Sequence, residues 1–156
     1  MRRSDREIKD FDEIVKVIRK CEICRLAFND GEYPYILPLN FGMALENDRI
    51  VFYFHGALEG KKYELIARNN KAAFEMDCNA KLETILEDGN CTMQYESIVG
   101  QGTVEILPDA EKERALDILM KHYHKEDFPY NKAAVPRTRV FKMTVEHCTG
   151  KRRMPK

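Results

Sequence analysis

Two neighbouring runs decide the fold class: Tyr33-Pro34-Tyr35-Ile36-Leu37-Pro38-Leu39-Asn40-Phe41-Gly42-Met43-Ala44, and, after Asn47-Asp48, Ile50-Val51-Phe52-Tyr53-Phe54-His55. The first is apolar and extended in character. Pro34 and Pro38 each remove a ladder donor, which predicts an edge strand or a bulge. Asn47-Asp48 is a turn pair, and the second run is β-branched and aromatic, as strands are. Strands joined by so short a turn pair antiparallel, because a parallel pair needs a crossover of a dozen residues or more.

Toward the N-terminus, Cys24 to Asn29 reads as a strand ending at Asp30-Gly31. Before it, Ser4-x-x-Glu7 has the form of a capping box, and Ile8, Phe11, Val15 and Ile18 follow at helical spacing, predicting a first helix to about Lys20. Toward the C-terminus the period changes after Gly56, where Tyr63, Ile66 and Ala67 share a helical face that ends at Asn69-Asn70. Ala72 to Asp77 is a strand candidate, and Asp88-Gly89 marks a turn. The extended stretch Cys91 to Leu107 carries Gly100 and Gly102, the mark of a bulge or of a close backbone approach. A helix starts at Pro108-Asp109 with Ala115, Leu116, Leu119, Met120 and Tyr123 facing inward. Pro129 and Pro136 punctuate an irregular connection, and Val140 to Val145 reads as the last strand. Six or so turn-linked strands with three helices predict a mainly β, antiparallel barrel with peripheral helices.

The chain has 156 residues, enough for one domain (1–156) with its own core. Lys+Arg and Asp+Glu both number 26, so no global field points to nucleic acid or to an anionic membrane. Lys151, Arg152, Arg153 and Lys156 read as a short solvated basic tail. Met1-Arg2-Arg3 is followed by charge rather than by an apolar run, and nothing approaches the ~18 apolar residues of a membrane span. On that reading the protein is cytoplasmic, and its five cysteines are reduced thiols; an odd count also argues against a disulfide framework.

Three groups of residues bear on chemistry. In Gly56-Ala57-Leu58-Glu59-Gly60-Lys61-Lys62-Tyr63-Glu64, two lysines stand where a helix begins, a position that costs a few tenths of a kcal/mol each. A bound anion would reverse that sign, since helix amides and ammonium groups would both face it. Taken alone, the pair is better read as a solvated first turn with Glu59 and Glu64 as partners. In Pro34 to Gly42, an apolar wall with a single amide at Asn40 suits a planar heteroaromatic ligand; the alternative is a buried strand with Asn40 satisfied by backbone. Cys21-x-x-Cys24 follows a helix, whose negative end raises a thiol pKa, so a dithiol redox role is discounted. His122 and His124 lie nearly opposite each other on a helix, the wrong geometry for one metal ion.

Six blocks in order carry a resemblance: Cys24-Arg25-Leu26-Ala27, Pro34-Tyr35 through Pro38-Leu39-Asn40-Phe41-Gly42, Phe54-His55-Gly56-Ala57, Gly60-Lys61-Lys62, Glu96-Ser97-Ile98-Val99-Gly100-Gln101-Gly102, and Thr149-Gly150-Lys151-Arg152. Together they resemble the nitroimidazole-resistance (Nim-like) branch of the pyridoxamine 5′-phosphate oxidase-related family. The resemblance implies a split β-barrel, six-stranded with Greek-key topology, and a homodimer with two FMN sites at the subunit interface. It places Pro38, Leu39 and Asn40 along the isoalloxazine, and His55 and Gly56 near the ribityl chain and phosphate. Lys61 and Lys62 would meet the phosphate, supplying the anion that the helix start lacks. Glu96, Ser97 and Val99 would approach the flavin from this chain or from its partner. His55 then has two open roles: a donor to phosphate or ribityl oxygens, or a general acid near neutral pH. The implied function is an FMN-dependent oxidoreductase passing electrons from NAD(P)H to a small acceptor such as a nitroaromatic. With no Gly-rich dinucleotide fingerprint, the donor would bind transiently against the flavin face. A flavin carrier or sensor without robust turnover, and a haem-binding split barrel, are the alternatives from other classes.

Overall fold

The computed structural model describes residues 3–87 and 89–154. Its strands are β1 (Glu7–Ile8), β2 (Cys24–Asp30), β3 (Tyr33–Leu39), β4 (Gly42–Glu46), β5 (Arg49–Ala57), β6 (Lys71–Ile85), β7 (Asn90–Ile106) and β8 (Thr138–Arg153). All pair antiparallel in one sheet along the path β3-β2-β6-β7-β8-β5-β4, with β1 added against β8. The count is eight rather than six for two reasons. The run from Tyr33 to Ala44 breaks at Asn40-Phe41 into β3 and β4, and Glu7-Ile8 pairs with Lys151 and Gly150 instead of joining a helix.

The path is not closed by hydrogen bonds. β3 lies at one end, as its prolines predict, with Pro34 opposite Asn29 and Pro38 opposite Arg25 on its one partner, β2. β4 lies at the other end. Only Asn40 and Phe41 separate these two edges in sequence, so the covalent chain holds Leu39 and Gly42 within about 11 Å. The sheet therefore curls until its ends meet, a barrel that is split where β3 faces β4. At the β4–β5 hairpin, Asn47 and Asp48 both take positive φ (50° and 61°), the primed turn geometry whose twist suits a two-residue hairpin.

Helix α1 (Phe11–Ile18) starts later than the spacing predicts. Its N-cap is Asp10, whose carboxylate accepts the Glu13 N–H at 2.9 Å, while Ser4–Arg6 forms a separate 3-10 turn. Helix α2 (Lys61–Arg68) follows Gly60, whose φ of 146° favours glycine, and it buries Tyr63, Leu65 and Ile66; Ala67 is exposed. Helix α3 (Lys112–Tyr123) buries Ala115, Leu116 and Leu119, with Met120 and Tyr123 half-buried.

Inside the barrel, Leu26, Phe28, Phe41, Phe52, Phe54, Phe74, Met76, Ile98 and Phe141 form the main core. A second core lies outside it: Val51, Tyr53 and Val140 pack with Leu107, Ala115 and Leu116. Helix α3 thus covers the outer face of β5, which is why five consecutive residues, Ile50 to Phe54, are all buried. The glycine expectation in β7 holds in both senses. The β7–β8 register shifts between Gln101 and Gly102, and a Cβ on Gly100 would meet the His147 carbonyl and the Phe74 ring at 2.5 Å.

Three further expectations are corrected or fall elsewhere. Lys151, Arg152 and Arg153 are not a solvated tail but the end of β8; Lys156 and Asp88, and with Asp88 the turn at Asp88-Gly89, lie outside the described residues. Both β6 and β8 run well beyond the predicted strands, β6 with an irregularity between Cys78 and Lys81. No helix among the described residues is long and apolar enough to cross a membrane.

Candidate functional site

Where β5 ends and α2 begins, three positively charged or ionisable side chains converge on bare backbone. A Cβ on Gly56 would lie 3.0 Å from both the Lys62 Nζ and the Tyr63 hydroxyl, so both side chains occupy space that glycine leaves. Tyr63 is fixed by donating to the Ala57 carbonyl at 2.8 Å. Lys62 Nζ stands 4.4 Å from the Tyr63 ring centroid and the Arg139 guanidinium 4.8 Å from it, so one aromatic ring faces two cations. Arg139 arrives there because it pairs with Gly56 across β5 and β8. Among the described residues neither Lys62 nor Arg139 forms an ion pair. Burial pushes the Lys62 ammonium down from its ordinary value. His55 is lowered by burial and then by the Lys62 charge, and its Nδ1 is buried with no hydrogen-bond partner among the described residues. These cations lie at the positive end of α2, so the arrangement is electrostatically suited to an anion.

The adjacent lysine behaves differently. Lys61 Nζ forms an ion pair with Asp30, which also receives Arg68 at 3.3 Å, and lies 5.4 Å over the Tyr35 ring. The pair singled out together is therefore divided, with Lys62 facing Gly56 and Lys61 tied to the end of β2.

Pro38, Leu39 and Asn40 lie at the split, about 13 Å along β3 from Tyr35 at strand spacing. This is not a buried strand: Tyr33 is 73% and Ile36 60% exposed, and Pro38 and Asn40 are exposed too. Asn40 is held by a side chain rather than by backbone. The Tyr123 hydroxyl accepts from Asn40 Nδ2 at 3.3 Å and from the Phe41 N–H at 2.9 Å, and donates to the Glu22 carbonyl at 2.7 Å.

Glu96, Ser97 and Val99 lie elsewhere on the same chain. Glu96 is buried. Burial alone would raise its carboxyl, but hydrogen bonds from Lys20 (2.8 Å), Asn79 (2.6 Å) and Arg152 (2.6 Å) outweigh it and hold the pKa below the ordinary range. Its opposite number, Arg152, is thirteen residues along β8 from Arg139, roughly 43 Å of strand. Ser97 and Val99 alternate with inward-facing Ile98, and Val99 is 51% exposed. One chain does not bring these three to Lys62 and Arg139.

Burial raises the Cys21 and Cys24 thiols far above the ordinary value, so neither is a thiolate near neutral pH; the direction is the one expected from sequence, but its cause is burial. His122 Nε2 lies 2.7 Å from the Cys21 carbonyl while His124 stacks on Phe128, and among the described residues no three His, Cys, Asp or Glu side chains cluster around a metal position. Arg139 and Tyr123 are the residues that sequence reading missed. Arg139 follows the segment read as irregular and meets Gly56 only through strand pairing; Tyr123 carried only a helical periodicity signal.

The family model described as pyridoxamine 5′-phosphate oxidase matches residues 10–152. No curated protein matches the sequence. Among solved structures, a candidate 5-nitroimidazole antibiotic resistance protein from Bacteroides thetaiotaomicron VPI-5482 is 36% identical with a TM-score of 0.77, covering 93% of this chain and 85% of that one. The FAD and heme binding protein from Mycobacterium smegmatis is similar in fold (TM-score 0.80, 15% identity, covering 96% of this chain and 74% of that one). So is the flavocytochrome Anf3 from Azotobacter vinelandii (TM-score 0.77, 16% identity, 99% and 72%).

Proposed function

The chain belongs to the pyridoxamine 5′-phosphate oxidase family, and from that premise we propose that it is an FMN-binding split-barrel flavoprotein, a homodimer that passes electrons from NAD(P)H to a small acceptor such as a nitroaromatic. The observation that carries this reading is the Lys62–Tyr63–Arg139 group beside Gly56, two cations that among the described residues have no ion-pair partner, one in the first turn of α2 and one on β8, with the His55 Nδ1 buried and, among the described residues, unpaired. A phosphate monoester on a polyol chain fits these groups: Lys62 and Arg139 supply charge, and His55 supplies a donor. Pro38, Leu39 and Asn40 would hold the ring at the split. Ser97, Val99 and the strand around Glu96 would come from the second chain, because within one chain they lie on β7 opposite Thr149 to Arg152, at the far end of β8 from Arg139. Lys61 supports the site from outside through Asp30.

Bound FMN supplies the redox chemistry; the chain binds it, orients it and controls access to it. A nitroaromatic acceptor is supported by the 36% identity to a candidate 5-nitroimidazole resistance protein. The dimer is supported by the outer sheet face, where exposed Ile36 lies in one cross-strand row with Ala27 and Ala73, small residues that permit close approach of a second sheet, and exposed Val99 stands opposite Glu75 in the next row of that face.

Comparing FMN with riboflavin, which lacks the phosphate, tests the reading. Charge-assisted contacts are worth ~1.5–3 kcal/mol, so Lys62→Ala should weaken FMN binding about tenfold or more while leaving riboflavin nearly unchanged. Lys61→Ala should cost much less. Equal weakening of both flavins by Lys62→Ala would overturn the phosphate assignment.

A further inference from the structure

We propose that Tyr123 is a positioning residue that locks the Asn40 side chain with its carbonyl oxygen outward, as the acceptor for the single ring N–H of an oxidised isoalloxazine. This rests on the reading that the flavin ring lies along Pro38, Leu39 and Asn40.

The orientation of Asn40 follows from counting donors and acceptors. A tyrosine hydroxyl has one proton and two lone pairs. The Glu22 carbonyl, 2.7 Å away, can only accept, so it takes the proton. The Phe41 N–H, at 2.9 Å, can only donate, so it occupies one lone pair. Asn40, at 3.3 Å, meets the lone pair that is left and must present its NH₂. An amide orientation that electron density commonly leaves open is here fixed by its neighbours. The consequence is that Oδ1 faces away from Tyr123 on an exposed residue, and among the described residues nothing donates to it.

What such an oxygen recognises follows from ligand chemistry. Around its pyrimidine ring the oxidised isoalloxazine carries two carbonyls and two unprotonated nitrogens, all acceptors, and one N–H between the carbonyls. An outward NH₂ would favour any of the acceptors; an outward carbonyl selects the N–H. Tyr123 does this from the last turn of α3 while also tying the split to the Glu22 backbone, so the helix that covers β5 also sets the polarity of the ring site.

The test compares riboflavin with 3-methylriboflavin, in which that N–H is replaced by N–CH₃. Wild-type protein should bind riboflavin about tenfold better, the usual loss when an acceptor covered by the bound ring is left without its donor. Tyr123→Phe releases the amide and should reduce this preference severalfold, whatever it does to overall affinity. Asn40→Ala, at an exposed position that folding tolerates, should abolish it. A variant that merely loosens the fold would weaken both flavins together and leave the ratio intact. Retention of the wild-type ratio in either variant overturns the proposal. Failure of wild-type protein to bind either flavin would instead overturn the flavin reading itself.

Discussion

His55 has a ring nitrogen buried without a partner among the described residues, beside Gly56 and within the influence of the Lys62 charge. That position favours a contact with phosphate or ribityl oxygens over proton transfer at the ring. His55→Gln should therefore reduce FMN retention while turnover per bound flavin stays near wild type. Full occupancy with turnover slowed by about 10²–10⁴-fold would identify a general acid instead. Titration supplies a second prediction. Burial lowers both His55 and His122, so between their folded values and the ordinary 6.5 the unfolded chain binds more protons than the folded one. Stability is then fully present above that window and is lost as pH falls through it. The denaturant midpoint should be lower at about pH 5.5 than at about pH 7.5, with a smaller difference in His122→Gln; an equal or higher midpoint at the acid end would contradict this. At this scale the lysines at a helix start and the lone amide in an apolar run stand out in the sequence because each breaks a local rule, whereas His55 and Gly56 enter the candidate site only through the resemblance. The division of labour between Lys61 and Lys62 was not legible, because it depends on Asp30, thirty-one residues before Lys61 in sequence.

Between elements, the tightest seat is that of α3 on β4. A Cβ on Gly42 would lie 2.5 Å from the Leu119 Cα and 2.7 Å from the Ile118 carbonyl carbon, both backbone atoms that cannot rotate away. Gly42→Ala must push the helix outward, at a cost of ~1–3 kcal/mol, visible as a lower denaturant midpoint. An unchanged midpoint would mean that α3 does not bear on β4. Strand and helix identity were readable wherever periodicity was local, as in β5, β7 and α3. The readings failed where a distant partner decided the outcome. Ile8 has helical spacing with Phe11, yet Lys151 and Gly150 draw Glu7-Ile8 into a strand, and the cap passes from Ser4 to Asp10. Likewise β8 runs on to Arg153 because Glu96 and Glu13 hold Arg152 there, a pairing that a run of basic residues does not reveal.

For the whole molecule, the split between β3 and β4 joins the fold to the proposed site: one covalent link closes the barrel, places the Asn40 amide at its seam and leaves an apolar edge exposed. Apolar residues occupy both registers of several strands, more than the inside of one small barrel holds. Helix α3 accounts for those of β5, while Ile36 and Val99 remain exposed, where the proposed second chain would cover them. Placing a charge in that face, as in Ile36→Lys, should shift a dimer toward single chains and release flavin with it. The most direct measurement is sedimentation velocity of the purified protein loaded with FMN, recorded at the visible absorbance of the flavin. The flavin should travel with a species of twice the 18.3 kDa chain mass. Flavin left behind in solution, flavin moving with a single chain, or a purified protein whose colour is that of haem would contradict the assignment.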